Sequence, residues 1–215
     1  MPERADHATE SAEYAERLVR LQTVWWKRIL PVQAPYRWNL RRLDPGFTLD
    51  IGCGIGRNLA HIDGNGVGVD HNAEAVRLAR ARGFEALTPE EFWASDHARP
   101  AMFDSLLASH VAEHMTPEEF VELLRQYLPL LRANGRVILI TPQEVGFRSD
   151  ESHVTFVDLE ALDRAGSAVG LRKSMSYSFP FPRPVGRVFV YNEFVWVGVA
   201  DGSVTPGVES AVTAG

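Results

Sequence analysis

Apolar positions Tyr14, Leu18, Leu21, Trp25 and Ile29 recur at steps of three and four until Pro31 interrupts them, a pattern that predicts an N-terminal helix. From Phe47 onward the pattern changes to short apolar runs alternating with helix-like segments. FTLDI predicts a strand and Gly56 to Ile62 a helix start; GVGVD predicts a second strand, Ala73 to Ala81 a helix closed by Gly83, and FEAL a third strand. Two cap signatures follow. Thr88-Pro89-Glu90-Glu91 and Thr116-Pro117-Glu118-Glu119 each place threonine at the cap, proline in the first turn and glutamate where it can satisfy an orphan amide. Asp158 is the expected cap of a later helix that Gly166 ends. FDSLLAS, RVILIT and two β-like stretches near 169–178 and 188–199 complete a set of seven strands. Strands alternating with helices imply a mostly parallel α/β sheet covered on both faces, with the last two strands paired as an antiparallel hairpin.

Length and composition sharpen this reading. A chain of 215 residues, 45 % hydrophobic, has material for one good core. The expected organisation is a helical lid or brace over 1–45, one α/β domain over 46–200 and a loose Gly/Ser/Thr/Val-rich tail over 201–215. The net charge of -6 is spread along the chain without a basic cluster, which argues against nucleic acid as a partner. No apolar run approaches the roughly 20 residues that span a bilayer, and MPERADHATE lacks the layout of a signal peptide, so no membrane partner is expected. The lone Cys53 excludes an internal disulfide and points to a reducing, cytoplasmic setting. Either a monomer or a homodimer is compatible with the sequence.

The stretch LDIGCGIGRNL, residues 49–59, falls at the first strand-to-helix turn, where ligands collect in a parallel sheet. Gly52 and Gly54 let the main chain pass close to a ligand, and the following helix start offers unpaired amides. A dinucleotide fingerprint counted from Gly52 requires glycine where Arg57 stands, so that frame fails. VGVD ends in Asp70, a carboxylate able to accept two hydrogen bonds from a ribose, although an acid there also suits a nicotinamide cofactor or a helix cap.

The pattern D-x-G-x-G-x-G from Asp50 to Gly56 resembles motif I of the class I S-adenosylmethionine (SAM)-dependent methyltransferases. FEALTPEEF, FDSLLASHVAEHM and LLRANGRVILITPQ are similar to later motifs of that family, with Asn134 a departure that a left-handed turn tolerates. The resemblance spans residues 46 to 199. It implies a Rossmann-like SAM methyltransferase fold, with Asp50, Gly52, Cys53 and Gly54 in the cofactor turn, Asp70 and His71 at the ribose, Glu91 and Phe92 at the adenine, and Ser109 on the fourth strand. The His-x-x-Glu-His run and SDESHVTFVDLEAL are similar to the ubiquinone-biosynthesis O-methyltransferases, and WWKRILPVQAPYRWNLRRL echoes their N-terminal region, which implies Arg37, then Arg41, for the methionine carboxylate. VQAPYRWNLRRL, LITPQE and SFPFPRPVGRVFVYNEF resemble a group of actinobacterial methyltransferases that includes the mycobacterial sugar 1-O-methyltransferases of methylmannose polysaccharide synthesis.

Methyl transfer to an alcohol gains from a general base, and imidazole is the natural one near neutral pH. Of seven histidines, His110, His114 and His153 fall where that fold brings them to the methyl group, while His7, His61 and His97 read as surface residues. His110 or His153 is expected to take the acceptor proton, with Glu113, Glu144 and Asp150 orienting base or substrate. Glu113, His114, Asp150 and His153 could hold a divalent ion, but no dense ligand spacing supports one, and no metal is expected. Trp25, Trp26, Asp150, Tyr191 and Asn192 are the candidate acceptor contacts, with Trp38, Tyr177, Phe179, Phe181 and Glu193 nearby in sequence. The expected activity is SAM-dependent O-methylation of a small molecule, a methylated mannoside first and a phenol or catechol second. A non-catalytic SAM-binding protein and a nicotinamide oxidoreductase are the competing classes.

Overall fold

In the computed structural model, residues 33–200 are described. The expected N-terminal helix, Trp25, Trp26, His7 and the tail from 201 lie outside them. A helix not expected from the pattern opens the described chain, α1 (Ala34–Arg42), with a proline in its first turn. The α/β alternation then runs β1 (Thr48–Ile51), α2 (Arg57–His61), β2 (Gly66–Val69), α3 (Ala73–Ala81), β3 (Ala86–Leu87) and α4 (Pro89–Trp93). It continues with β4 (Phe103–Ser109), α5 (Pro117–Tyr127), β5 (Leu131–Pro142), α6 (Glu144–Arg148), α7 (Leu159–Ala168), β6 (Leu171–Phe179) and β7 (Glu193–Ala200).

The strands form one seven-stranded sheet in the order β3-β2-β1-β4-β5-β7-β6. The first five pair in parallel; β7 lies antiparallel between β5 and β6, as the expected hairpin requires. Alternation along the central strands builds the two faces. Leu106, Val137, Leu139, Phe194 and Trp196 join one cluster with Phe92, Phe120 and Leu162. Their neighbours Leu107, Ile138, Ile140, Val195 and Val197 join the other, with Leu40 of α1, Leu43 just after it, Leu59 and Ile62.

Both threonine capping boxes form, at Thr88 with Glu91 and at Thr116 with Glu119, and Asp158 caps α7 by accepting from the Ala161 amide at 2.9 Å. Asn134 adopts φ 60°, the left-handed turn expected of it. Three expectations are corrected. α7 does not stop at Gly166: the helix runs to Ala168, and Gly166 is there because a Cβ would come within 2.4 Å of the Trp196 ring. The last strand begins at Glu193 rather than near 188, since the chain is still turning there: the Phe189 amide donates to the Val185 carbonyl and the Asn192 amide to the Phe189 carbonyl. His61 is buried rather than exposed, and burial, reinforced by Arg57, Arg37 and Arg41, lowers its pKa to about 4. No helix among the described residues is long and apolar enough to cross a membrane.

Candidate active site

Strand order turns back between β1 and β4, so their connections depart in opposite directions and leave a crevice at the carboxyl ends of the strands. The crevice has a volume of about 1260 Å³, and Gly52, Gly54, Asp70, Ser109, His110 and His153 are among the residues lining it.

On one side the chain leaves β1 through Gly52 and Gly54, both at positive φ, 72° and 52°. The Gly52 and Cys53 amides donate to the Val69 carbonyl at 2.8 and 3.1 Å, which folds the turn back over β2. A Cβ on Gly52 would meet Val111 Cγ2 at 2.4 Å, inside the crevice wall. Asp70 accepts from the Gly54 amide at 2.7 Å and from the Asn72 amide at 2.9 Å. Asn72, not Asp70, caps α3, because its side chain accepts from the Glu74 and Ala75 amides. Each Asp70 oxygen therefore retains a lone pair for a hydroxyl in the crevice. His71 sits exposed on the rim, its Nδ1 3.8 Å from Asp70 Oδ1. Cys53 reaches the crevice from a small cluster with Val76, Ala79 and Ala86, and burial pushes its thiol well up.

Asp50 lies beneath this turn. It is fully buried, accepts from Asn58 Nδ2 at 3.1 Å, and has no partner for Oδ2 among the described residues. Burial raises its pKa to about 7 against the opposing effects of Asn58 and Arg57. Its role is to tie α2 to β1 under the turn.

The opposite end of the crevice is built by the end of β4 and two loops. His110 follows β4 at φ 60°, its amide bonded to the Ile140 carbonyl. Its Nδ1 is 3.1 Å from Glu113 Oε1 and its Nε2 2.9 Å from Glu193 Oε1. Burial disfavours a positive ring, yet the hydrogen bonds to the two carboxylates outweigh it and raise the pKa to about 9. His110 is thus an imidazolium with both nitrogens engaged. Beside it, the rings of His114 and His153 meet edge to face at 4.9 Å between centroids. His153 Nδ1 is 2.6 Å from the Phe147 carbonyl and stacks on the Phe147 ring; His114 Nδ1 is 3.3 Å from the Ser152 carbonyl. Burial lowers the His114 pKa despite Glu113, with His153 adding to the effect.

Residues 49–137 match the family model of a methyltransferase domain. Over that stretch the chain is similar to a methyltransferase domain, and its sheet has the fold of the SAM-dependent methyltransferases. Solved structures agree on the fold. A SAM-dependent methyltransferase from Archaeoglobus fulgidus aligns at 21 % identity and TM-score 0.60, covering 76 % of this chain and 92 % of that one. Magnesium protoporphyrin IX methyltransferase from Synechocystis with bound SAH aligns at 14 % identity and TM-score 0.62, over 91 % and 97 %. The complex of the Haloferax volcanii Trm112 methyltransferase activator with a methyltransferase gives 19 % identity and TM-score 0.64, over 89 % and 96 %. No curated protein matches the sequence.

SAM is the cofactor that this fold implies, and the bare glycine turn with Asp70 at its edge fits it. Other expected contacts lie elsewhere. Phe92 is wholly buried in the core, and Glu91 is occupied by its capping box and by Arg80. Arg37 is exposed on an outer face of α1 with Trp38, Arg41 and Arg42; the arginines lining the crevice are Arg57 and Arg125, of which Arg57 adjoins the glycine turn. Glu144 is held by Arg183 at 2.9 and 2.5 Å, which keeps its carboxyl below the usual range and takes it away from proton transfer. Asn192 is buried and bonds Gln143 Oε1, the Phe181 carbonyl and the Phe181 amide, stapling the loop before β7. Tyr191 and Asp150 do line the crevice. Sequence reasoning missed Arg57 as a lining residue and Glu193 as the partner of His110. The clue for Arg57 was its place directly after the glycine turn.

Proposed function

We propose that this methyltransferase transfers the SAM methyl group to a hydroxyl of a small polyhydroxylated acceptor, a methylated mannoside being the favoured class. The observation that carries the reading is the Glu113–His114–His153 group at the far end of the crevice. An alcohol keeps its proton at pH 7, so an alcohol acceptor calls for a group that draws the proton off, and the presence of His114 and His153 on the crevice wall supports that reading. His110 does not serve, since carboxylates hold both of its nitrogens. His153 gives Nδ1 to a main-chain carbonyl, which leaves Nε2 as the nitrogen with a lone pair.

Bound SAM supplies an electrophilic methyl on a good leaving group, so positioning carries much of the catalysis. Asp70 and the Gly52–Gly54 turn hold the cofactor, while His110 braces Glu113 against Glu193. At about 1260 Å³ the crevice exceeds the roughly 300–1,000 Å³ usual for one small ligand, which accommodates an acceptor beside SAM. Tyr191 offers a flat face for stacking a sugar ring, and Asp150 an acceptor for its hydroxyls.

Labelled-methyl transfer from SAM, screened against monosaccharides, short mannosides and catechols, tests the proposal. Mannosides are expected to accept label. Labelling of catechols alone would replace the saccharide by a phenol, and SAM binding in calorimetry without any transfer would leave a binding protein.

A further inference from the structure

We propose that Glu193 selects the acceptor by charge: its carboxylate takes a hydrogen bond from an acceptor hydroxyl and keeps the crevice for uncharged or ammonium-bearing hydroxyl compounds, excluding those that carry a carboxylate or phosphate. The inference rests on the reading of the crevice as the methyl-transfer site, and it adds the residue that tells one acceptor from another.

The chain entering β7 fixes this side chain. Tyr191 and Glu193 both line the crevice, while Asn192 between them is buried, bonded to Gln143 Oε1 and to the Phe181 main chain. Three further bonds hold the segment. Gln143 Nε2 donates to the Glu193 carbonyl at 2.9 Å, the Gln143 amide to the Asn192 carbonyl at 3.0 Å, and the Tyr36 hydroxyl of α1 to the Tyr191 carbonyl at 2.6 Å. Burial, then the charge of Glu193, raise the Tyr36 pKa, so that hydroxyl remains a donor and adds no second negative charge. An aromatic ring beside a carboxylate suits a polyol, whose C–H face stacks while a hydroxyl donates.

The charges around His110 do not cancel. As an imidazolium it carries one positive charge, yet it stands between two carboxylates, 3.1 Å from Glu113 Oε1 and 2.9 Å from Glu193 Oε1. Glu113 is sealed in the interior with a side chain 0 % exposed, whereas Glu193 reaches the crevice wall. The surplus negative charge therefore faces the ligand space. A carboxylate has about four acceptor sites on its two oxygens, so the bond to His110 leaves Glu193 able to take a hydroxyl as well.

The surroundings reinforce this sign. Five carboxylates line the crevice, Asp150 and Glu193 among them, against Arg57, Arg125 and the His110 imidazolium. An anion brought to such a wall meets like charge where water screens it poorly, while a hydroxyl or an ammonium group donates to it.

The test is a charge series in two acceptor classes: the methyl glycosides of mannose, mannosamine and mannuronic acid, and catechol, dopamine and 3,4-dihydroxybenzoate. Each is offered with labelled SAM, and each is titrated calorimetrically into protein loaded with the demethylated cofactor, which reads binding without transfer. Wild type is expected to prefer the neutral and amino members over the carboxylate at least tenfold, in kcat/KM and in Kd. Glu193→Gln keeps an oxygen for His110 Nε2 but loses the charge, and the preference should shrink to within twofold, chiefly through KM. Glu193→Asp keeps the charge and should retain the preference to within threefold; melting curves establish that both variants are folded. A preference unchanged in Glu193→Gln, or absent from wild type in both series, overturns the inference, and transfer to the mannoside would then leave the proposed function intact. A tenfold loss of SAM affinity in Glu193→Gln, with 5′-methylthioadenosine bound as before, assigns the carboxylate to the methionine ammonium and also overturns it. Charge selection seen with catechols alone, or in calorimetry without any transfer, supports the inference and overturns the proposed function.

Discussion

Nε2 of His110 stands 2.9 Å from Glu193 Oε1, although 83 residues of chain separate them. The same ring reaches Glu113 through Nδ1, so one imidazolium joins the end of β4, the turn after it and the start of β7. Replacing His110 by Asn or Glu193 by Gln should lower stability by about 1–3 kcal/mol, because the first leaves two buried carboxylates without a charged partner, and the second takes one of two charged partners from the ring held between them. Urea unfolding measures the loss, and turnover should fall further than SAM affinity, since the glycine turn and Asp70 are untouched.

Asp70 joins the cofactor turn to the second strand. If Asp70 holds the ribose as proposed, Asp70→Ala is expected to weaken SAM binding on the order of 100-fold, since the Gly54 and Asn72 anchors go with that contact. Gly52→Ala should weaken it too, since its Cβ is driven against Val111. Calorimetry with SAM reads both; undiminished affinity in Asp70→Ala would remove that residue from the cofactor site.

Asp50 makes stability depend on pH in a defined direction. Its folded-state pKa, about 7, lies above the unfolded value, so between about pH 4 and 7 the unfolded chain ionises while the folded chain keeps its proton. Stability attributable to this group therefore falls as pH rises through that window and levels off above it. Asp50→Asn should raise the melting temperature at pH 8 relative to wild type and make little difference at pH 4. An equal effect at both values would show that ionisation of Asp50 is not the cause.

Gly166 is a packing position within α7. Gly166→Ala should destabilise the protein by about 1–3 kcal/mol, because the Trp196 ring that the new methyl would strike is fully buried and its Nε1 is bonded to Asp163. SAM affinity is expected to stay within twofold of wild type. The pair of measurements separates a core defect from a site defect.

Much of this was legible in the amino-acid order because it depends on neighbours in sequence. Thr88 and Thr116 reach amides three residues on, Asp158 caps its own helix, and the glycines after β1 turn the chain where a side chain would obstruct it. Short apolar runs placed the central strands, and the structure puts the neighbours Leu106 and Leu107 of one such run on opposite faces. α1 escaped notice because only Asn39 and Leu40 of it are buried, too little to print a helical stripe.

The chemistry of individual side chains was settled in three dimensions. Periodicity cannot tell that Phe92 points into the core, that Arg183 holds Glu144, or that Arg57 rather than Arg37 borders the crevice. His110 resembled a base from its place at a strand end; the insertion of β7 beside β5 brought Glu193 to it and fixed its charge. Sequence alone determined the fold and the cofactor turn, since both follow from contacts a few residues long repeated along the chain. Tertiary structure decided which groups are charged, which are engaged and which remain open to a ligand, because burial and partner choice depend on segments that meet only when the sheet is assembled.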